Sequence, residues 1–155
     1  MSDEKLQMLF DKDEIRDLIA KYAHGADMPD PDMYLSVLTP DFEIEFTNFG
    51  VKARGMDEWR QALASDRLRA LIAYQRDAST HITSNEVIDV NGDHATGFIH
   101  CVAHIIGTKD GDPYSTLHGL TYEDRYRRIQ GDWKICHRRL TLKWITEGAP
   151  SPLPV

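Results

Sequence analysis

Four segments in the second half of the chain alternate apolar and polar residues, and short turn-forming sequences separate them. The turns are VNGD, GTKDGDP and IQGD, which are rich in residues that tolerate a positive φ. Alternation with a period of two is typical of β-strands that bury one face. The pattern predicts strands over 81–90, 94–107, 114–129 and 132–146. Because tight turns join consecutive strands, this half of the chain is predicted to be an antiparallel meander.

The first half of the chain carries apolar residues at helical spacing instead. The spacing predicts helices over 11–26, 33–39 and 55–74, with one strand over 41–49. Helices followed by a long antiparallel sheet indicate the α+β class. We expect N-terminal helices packed on a strongly curved antiparallel sheet, forming a cone with a central pocket. The mouth of such a cone is a natural site for a small molecule.

Length and charge narrow the possible functions. The 155 residues fit a single domain over 1–155, with 147–155 as an extended proline-rich tail. The net charge of −7 argues against nucleic acid as a partner. No apolar run approaches the ~20 residues of a membrane span, so no membrane partner is expected. The N-terminal sequence MSDEKLQMLFDKDE is too charged for a secretory signal, so a cytoplasmic location is expected.

Neither the cysteines nor the histidines are spaced like metal ligands. Cys101 and Cys136 form no CxxC motif and lie in alternating segments, so both are expected to be buried free thiols. His100 and His104 are close in sequence, but on a strand they would lie about 13 Å apart. The sequence therefore predicts no metal site and no cofactor.

Asp27 and His81 are the candidate catalytic pair. Asp27 follows the first predicted helix, and His81 opens the first strand of the predicted meander. Histidine is the side chain whose unperturbed pKa lies near neutrality, so it can act as a base. A carboxylate on one ring nitrogen fixes the tautomer and stabilises the imidazolium that forms. Spacing alone favours a simpler interpretation, in which Asp27 is a helix-end or turn residue and His81 ends a strand.

Further polar residues are candidates for the wall of the pocket. Alternation places His118, Leu120, Tyr122 and Tyr126 on one face of their strand. Tyr22, on the first helix, could donate a hydrogen bond to a substrate oxygen or be a core tyrosine. His104 is a further pocket candidate. Packing against the sheet remains the alternative for His104, His118 and Tyr122.

The chain resembles SnoaL-like proteins of the nuclear transport factor 2-like superfamily, which have the cystatin-like fold. The resemblance covers nearly all of 8–146. It is carried, in order, by EIRDLIAKYAHGAD, YLSVLTPDFEIEF, ARGMDEWRQAL, THITSNEVIDVNGDHAT and YEDRYRRIQGDWKICHRRL. This order and spacing is specific for the fold. It is less specific for activity, because the fold hosts dehydratases, isomerases, epoxide hydrolases and non-catalytic modules.

The resemblance implies a role for the candidate pair. In the scytalone dehydratases and hexachlorocyclohexane dehydrochlorinases of this superfamily, an Asp–His dyad abstracts a proton. Asp27 in HGAD and His81 in STHITSN match the positions of that dyad. The implied function is a cofactor-independent lyase or isomerase, most simply a dehydratase acting on a small apolar cyclic or aromatic molecule. The alternative is a non-catalytic small-ligand-binding or interaction module of the same fold.

The remaining correspondence is incomplete. Phe46 stands where scytalone dehydratases have a catalytic tyrosine, and Tyr122 where they have a pocket asparagine, so the resemblance implies that both contact the substrate. His104 corresponds to their second histidine only with a one-residue shift. Because phenylalanine cannot polarise a carbonyl, scytalone itself is not the expected substrate. Tyr22 stands where the dehydrochlorinases have a lysine and ketosteroid isomerases an oxyanion-binding tyrosine. The aspartate base of those isomerases aligns with Phe46, so their mechanism is not supported.

Self-association is also expected. One face of the predicted sheet packs on the helices, while the other carries valine, isoleucine and leucine as well as charges. Pairing that second face with a copy of itself would bury its apolar part. Relatives form dimers or trimers, so a homodimer or homotrimer is expected.

Overall fold

The computed structural model describes residues 2–28, 30–65 and 75–148. Its three helices are α1 (Asp3–Asp27), α2 (Pro31–Ser36) and α3 (Gly55–Leu63). Ser2 caps α1 by accepting a hydrogen bond from the backbone N–H of Lys5. Asp30 caps α2 in the same way, and Pro31 suits the first helical position because its missing N–H would be unpaired there anyway.

One six-stranded, curved and unclosed sheet packs against the helices. Its strands are β1 (Leu38–Phe46), β2 (Val51–Arg54), β3 (Gln75–Asn91), β4 (His94–Lys109), β5 (Asp112–Ile129) and β6 (Asp132–Gly148). The strand order is β2-β1-β6-β5-β4-β3. Strands β3 to β6 form the predicted antiparallel meander. The α+β class is confirmed, but β1 pairs with β6 in parallel, which was not predicted.

Several predicted boundaries were wrong. Helix α1 begins at Asp3 rather than at residue 11. Its first turns, residues 3–10, are exposed and precede the buried part of the helix. The predicted helix over 33–39 ends at Ser36, because Leu38 already pairs with β6. The predicted strand over 41–49 ends at Phe46, where a 3₁₀ turn and the unpredicted strand β2 follow.

Three other expectations concern where β3 begins and where α3 and β6 end. The strand predicted to open at His81 begins at Gln75, so His81 lies inside β3. The helix predicted over 55–74 is seen as far as Leu63, and 66–74 lie outside the described residues. Strand β6 ends at Gly148, so the predicted tail over 147–155 begins with two strand residues. Residues 149–155 lie outside the described part.

The core lies between α1 and the inner face of the sheet. Helix α1 buries Ile15, Leu18, Ile19 and Tyr22, which recur at helical spacing. Opposite them, residues directly paired across strands form rows on the inner face, since paired side chains project to the same side. One such row contains Ile99, Tyr122 and Leu140, all buried. Burial of each large side chain contributes roughly 1.5–3 kcal/mol.

A β-bulge interrupts β3 shortly after His81. The register with β4 shifts between Ser84 and Val87, and Asn85 has a φ of 54°. Extra residues of this kind increase local twist and bend the strand. On the near side of the bulge, Ser79 and His81 face the end of α1. The bulge therefore lies within a few residues of the candidate site.

The cysteines only partly match expectation. Both thiols are free, but Cys101 is buried whereas Cys136 is partly exposed on β6. Burial raises the pKa of both thiols. Across the described ranges, none of the helices has the length and apolar character needed to cross a membrane.

Candidate active site

Asp27 and His81 meet between the end of α1 and the inner face of β3. Oδ1 of Asp27 lies 2.6 Å from Nδ1 of the imidazole, and Oδ2 accepts the backbone N–H of His81 at 2.7 Å. The Ser79 hydroxyl donates to Oδ1 at 2.8 Å. The side chains of His81 and Asp27 are only 17% and 14% exposed. Three hydrogen bonds therefore hold this carboxylate in one orientation.

These hydrogen bonds keep Asp27 ionised and select one tautomer of the neutral His81 ring. Burial raises the pKa of Asp27, but the hydrogen bonds from the His81 backbone, the His81 ring and Ser79 outweigh it and hold that pKa below 3.8. An ionised carboxylate can only accept, so Nδ1 must carry the proton at this contact. Nε2, on the other side of the ring, then presents its lone pair, as a general base requires.

The position of Asp27 in α1 is unfavourable for the helix itself. It is the last residue of α1, where the partial negative charge of the helix dipole repels a carboxylate. The cost is on the order of 0.3–1 kcal/mol. The contacts with Ser79 and His81 offset this cost, so the placement of Asp27 is explained by the site and not by helix stability.

A row of four directly paired residues crosses the sheet at the site. It runs from His81 through Ala103 and His118 to Ile145. Directly paired Cα atoms lie about 4.5–5.5 Å apart, so those of His81 and His118 are separated by roughly 10 Å. Ala103 adds only a methyl group between the two imidazoles. Two histidines thus face the same side of the sheet.

His118 differs electrostatically from His81. Burial lowers its pKa below 6.5, the Glu147 carboxylate acts in the opposite direction, and His81 adds to the lowering. At neutral pH His118 is therefore largely the neutral imidazole, which can donate one hydrogen bond and accept another.

Deeper in the cone, three tyrosines and an arginine form a buried cluster. Tyr34 donates its hydroxyl to that of Tyr22 at 2.9 Å, which leaves the Tyr22 O–H hydrogen for another acceptor. Tyr122 donates to Cys101 Sγ at 3.4 Å. The Arg138 guanidinium lies 4.0 Å from the ring centroid of Tyr22 and 4.2 Å from that of Tyr122.

Sequence analysis did not identify Arg138 and its partner Asp124. Nε and Nη2 of Arg138 bind the two oxygens of Asp124 at 2.8 and 2.6 Å, and both side chains are fully buried. A signal was present on β6, where apolar residues change from odd positions (Trp133, Ile135) to even ones (Leu140). That change places Arg138 on the inner face with Leu140.

Two predicted pocket residues lie apart from the dyad. His104 pairs directly with Leu117 and Thr80, so it lies on the outer face of the sheet, where Nε2 contacts the Ser115 hydroxyl at 2.9 Å. Phe46 is on the inner side, but its ring stacks on Trp59 with centroids 5.7 Å apart. It provides apolar surface and no polar group. Within the ranges that the structure covers, no three metal-ligating side chains come together.

A curved sheet folded against N-terminal helices, with a carboxylate–imidazole pair inside, defines an α+β cone of the cystatin-like class. The chain belongs to the SnoaL-like domain family, whose model matches residues 7–139. Solved structures with the same fold carry the names of several different proteins. A search of curated proteins gave no match.

Three of these structures illustrate the range of sequence identity and of protein names. An NTF2-like protein with a cystatin-like fold from Novosphingobium aromaticivorans is 28% identical, with 90% of this chain and 86% of that chain covered and a TM-score of 0.67. A proposed scytalone dehydratase from the same species is 22% identical, covering 89% and 87%, with a TM-score of 0.73. The type-3 hexachlorocyclohexane dehydrochlorinase of Novosphingobium barchaimii is 18% identical, covering 96% and 99%, with a TM-score of 0.77. The likeness to the last two establishes the fold.

Proposed function

We propose that this protein is a cofactor-independent lyase that eliminates water from a small, largely apolar cyclic or aromatic molecule. The observation that carries the proposal is the buried contact between the ionised Asp27 carboxylate and Nδ1 of His81. It leaves Nε2 as a base inside the cone. Membership of the SnoaL-like family, with solved neighbours named for loss of water and of hydrogen chloride, agrees with an elimination.

In the proposed reaction, Nε2 of His81 takes a proton from a carbon next to a carbonyl group. The electrons of that C–H bond form a carbon–carbon double bond while the neighbouring C–O bond breaks. The leaving hydroxide takes up the proton that Nε2 has removed and departs as water, which returns His81 to its neutral form. Asp27 stabilises the imidazolium that forms and keeps the ring in place. A positioned base of this kind typically contributes 10²- to 10⁴-fold to the rate.

Two described side chains can assist the oxygen atoms of the substrate. The Tyr22 hydroxyl already accepts a hydrogen bond from Tyr34, so its own hydrogen can be donated to a developing oxyanion. His118 lies in the same row as His81 and can supply a hydrogen bond to the leaving hydroxyl. Tyr122 is less suited, because its hydroxyl hydrogen is directed at Cys101.

The substrate is expected to be mainly apolar. Met28 directly follows Asp27, and Ile145 ends the row that contains His81; both are large apolar side chains, 62% and 43% exposed. Phe46 replaces a group that could polarise a carbonyl, which argues against scytalone itself. A compact ring with one carbonyl and one β-hydroxyl group fits this combination.

The test is a panel of small cyclic β-hydroxy ketones, with the conjugated enone product followed by ultraviolet absorbance. We expect His81→Gln to lower kcat/KM by roughly 10²- to 10⁴-fold. The matched control is His104→Gln, a histidine of the neighbouring strand on the opposite face, which should retain activity. Full activity in His81→Gln would overturn the proposed mechanism.

A second measurement isolates the proton-abstraction step. The parent ketones, which lack the leaving hydroxyl, should exchange their α-hydrogens with deuterated water in a His81-dependent manner, followed by NMR. Ligands that raise the melting temperature without turnover or exchange would instead support the non-catalytic binding module.

A further inference from the structure

Among the described residues, Ser79 is the side chain outside the dyad that holds the Asp27 carboxylate. Its hydroxyl donates to Oδ1 at 2.8 Å. The other two hydrogen bonds to this carboxylate, at 2.6 and 2.7 Å, both come from His81, through Nδ1 and the backbone N–H. His81 is the residue that Asp27 has to orient, so its own contacts cannot fix the carboxylate independently. Ser79 supplies the independent contact.

Strand β3 places Ser79 where Asp27 is the acceptor that its hydroxyl meets. Ser79 and His81 are two residues apart on β3, so their side chains project to the same face. Ser79 pairs directly with Ile105 of β4, a buried side chain without polar atoms. The neighbouring strand therefore offers the hydroxyl no polar side chain in its own row.

The location of Asp27 explains why a further contact is useful. Asp27 is the last residue of α1, and the ends of helices fray. The negative end of the helix dipole also repels its charge. A rotation of the carboxylate would take Oδ1 away from Nδ1 of His81. The Ser79 hydroxyl ties the carboxylate to the strand that carries the imidazole, so the two members of the dyad share one frame.

We propose that Ser79 is a positioning residue of the dyad, whose hydroxyl holds the Asp27 carboxylate in the orientation that receives Nδ1–H of His81 and keeps it ionised. A hydrogen bond to an ionised acceptor favours the charged form. Ser79 acts through Asp27 and not on the substrate. The inference rests on the proposed function for its effect on turnover, whereas its effect on Asp27 can be measured without any substrate.

The electrostatics of the carboxylate agree with this role. Burial raises the pKa of Asp27, and the hydrogen bonds from His81 and Ser79 outweigh it. Two other titratable groups lie nearby. Burial raises the pKa of Cys101 on β4, and the charge of Asp27 adds to that rise, while His118 on β5 interacts with His81. Among the described contacts, neither of these two groups bonds to Ser79, so the Asp27 titration in a Ser79 variant reports on the lost hydrogen bond.

The test compares Ser79→Thr with Ser79→Val, two β-branched side chains of similar shape that differ in the hydroxyl. The titration of Asp27 is followed by carboxyl carbon-13 NMR in the protein without substrate, and the signal is assigned by its absence in Asp27→Asn. We expect a higher pKa of Asp27 in Ser79→Val than in wild type, and a value close to wild type in Ser79→Thr. The matched control is Thr83→Val, which removes a hydroxyl from the same face of β3 beyond His81 and should leave this titration unchanged.

Kinetics provide the second readout. On a β-hydroxy ketone, Ser79→Val should lower kcat by roughly 10-fold, as loss of a hydrogen bond to a charged group implies. KM should change little, because Ser79 does not bind the substrate. Ser79→Thr should restore most of the lost kcat. Melting curves check folding, and Ser79→Ala is the second variant without the hydroxyl.

The outcomes separate this inference from the proposed function. An unchanged Asp27 titration in folded Ser79→Val and Ser79→Ala would overturn the role of Ser79, whether or not a substrate is found. Equal losses in Ser79→Thr and Ser79→Val would also overturn it, since shape and not the hydroxyl would then matter. A shifted titration that Ser79→Thr restores supports the role of Ser79 even if the wild-type protein turns over no ketone, a result that would count against the lyase function alone.

Discussion

Asp27 binds His81 twice, through the ring Nδ1 at 2.6 Å and through the backbone N–H at 2.7 Å. The two contacts use both carboxylate oxygens, so the orientation of the imidazole relative to β3 depends on this one side chain. Because the backbone N–H and the ring Nδ1 of His81 are both held, the imidazole has little rotational freedom left to lose when substrate binds.

Asp27→Asn should remove the base while leaving the fold intact. The amide N–H₂ can donate to Nδ1, which moves the ring proton to Nε2 and removes the lone pair there. We expect kcat on a β-hydroxy ketone to fall by roughly 10³- to 10⁴-fold with little change in KM. A variant that retains its kcat would show that the carboxylate does not set the tautomer.

The same variant should reveal a pH-dependent contribution to stability. The folded pKa of Asp27 lies below its unfolded value of 3.8. The carboxylate therefore contributes stability that is fully present above 3.8 and is lost as pH falls through the lower, folded pKa. The difference in unfolding free energy between wild type and Asp27→Asn, from urea titrations, should be largest near neutral pH and shrink at roughly pH 3 and below. A difference that grows on acidification would contradict the assignment.

His118 should also make the protein less stable as the pH falls, but at mildly acidic pH. Its folded pKa lies below 6.5, first because of burial, so the unfolded chain binds protons that the folded chain does not. Stability should therefore decrease as pH falls below 6.5. His118→Gln should reduce this slope, although His137, whose pKa is also lowered, will keep part of it. Melting temperatures between roughly pH 5 and 7 measure the effect. An unchanged slope would mean that His118 is not protonated more readily on unfolding.

The local patterns of the sequence were sufficient for most of the fold. Periodicity gave α1 and the four strands of the meander, because burial on one face imposes spacings of 3.6 and 2 residues. The parallel pairing of β1 with β6 could not be predicted from periodicity. It joins Ile44 to Arg138 across the length of the chain, and no local pattern encodes such a contact.

The candidate site could be predicted from the sequence only in part, for the same reason. Asp27 and His81 are 54 positions apart, and family resemblance, not spacing, suggested that they meet. Strict alternation failed for Arg138 because β6 has an irregularity opposite Arg125 and Tyr126, which shifts its inward positions.

The buried pair Arg138–Asp124 gives a strong stability prediction. Arg138→Met should destabilise the protein by about 3–5 kcal/mol, because it leaves the Asp124 charge buried. Among the described side chains, the Tyr126 hydroxyl is then the one that still donates to this carboxylate. Adding Asp124→Leu should recover part of that loss, since no unpaired charge remains. Chemical denaturation of both single variants and the double variant measures the coupling. Strict additivity of the two losses would show that the ion pair is not coupled.

Gly25→Ala tests how closely α1 and α2 must approach to hold the site. A Cβ on Gly25 would lie 2.7 Å from the backbone nitrogen of Tyr34, so the two helices must move apart. Tyr34 would then lose its 2.9 Å hydrogen bond to Tyr22, and Asp27 lies only two residues further along α1. Alanine is favoured over glycine within a helix by up to about 1 kcal/mol, but overpacking costs about 1–3 kcal/mol, so we expect net destabilisation. The control is Gly148→Ala, where the added Cβ meets no atom of the described residues within 4 Å. Urea denaturation of both variants decides the matter, and a Gly25→Ala protein as stable as the control would show that the helices tolerate a wider spacing.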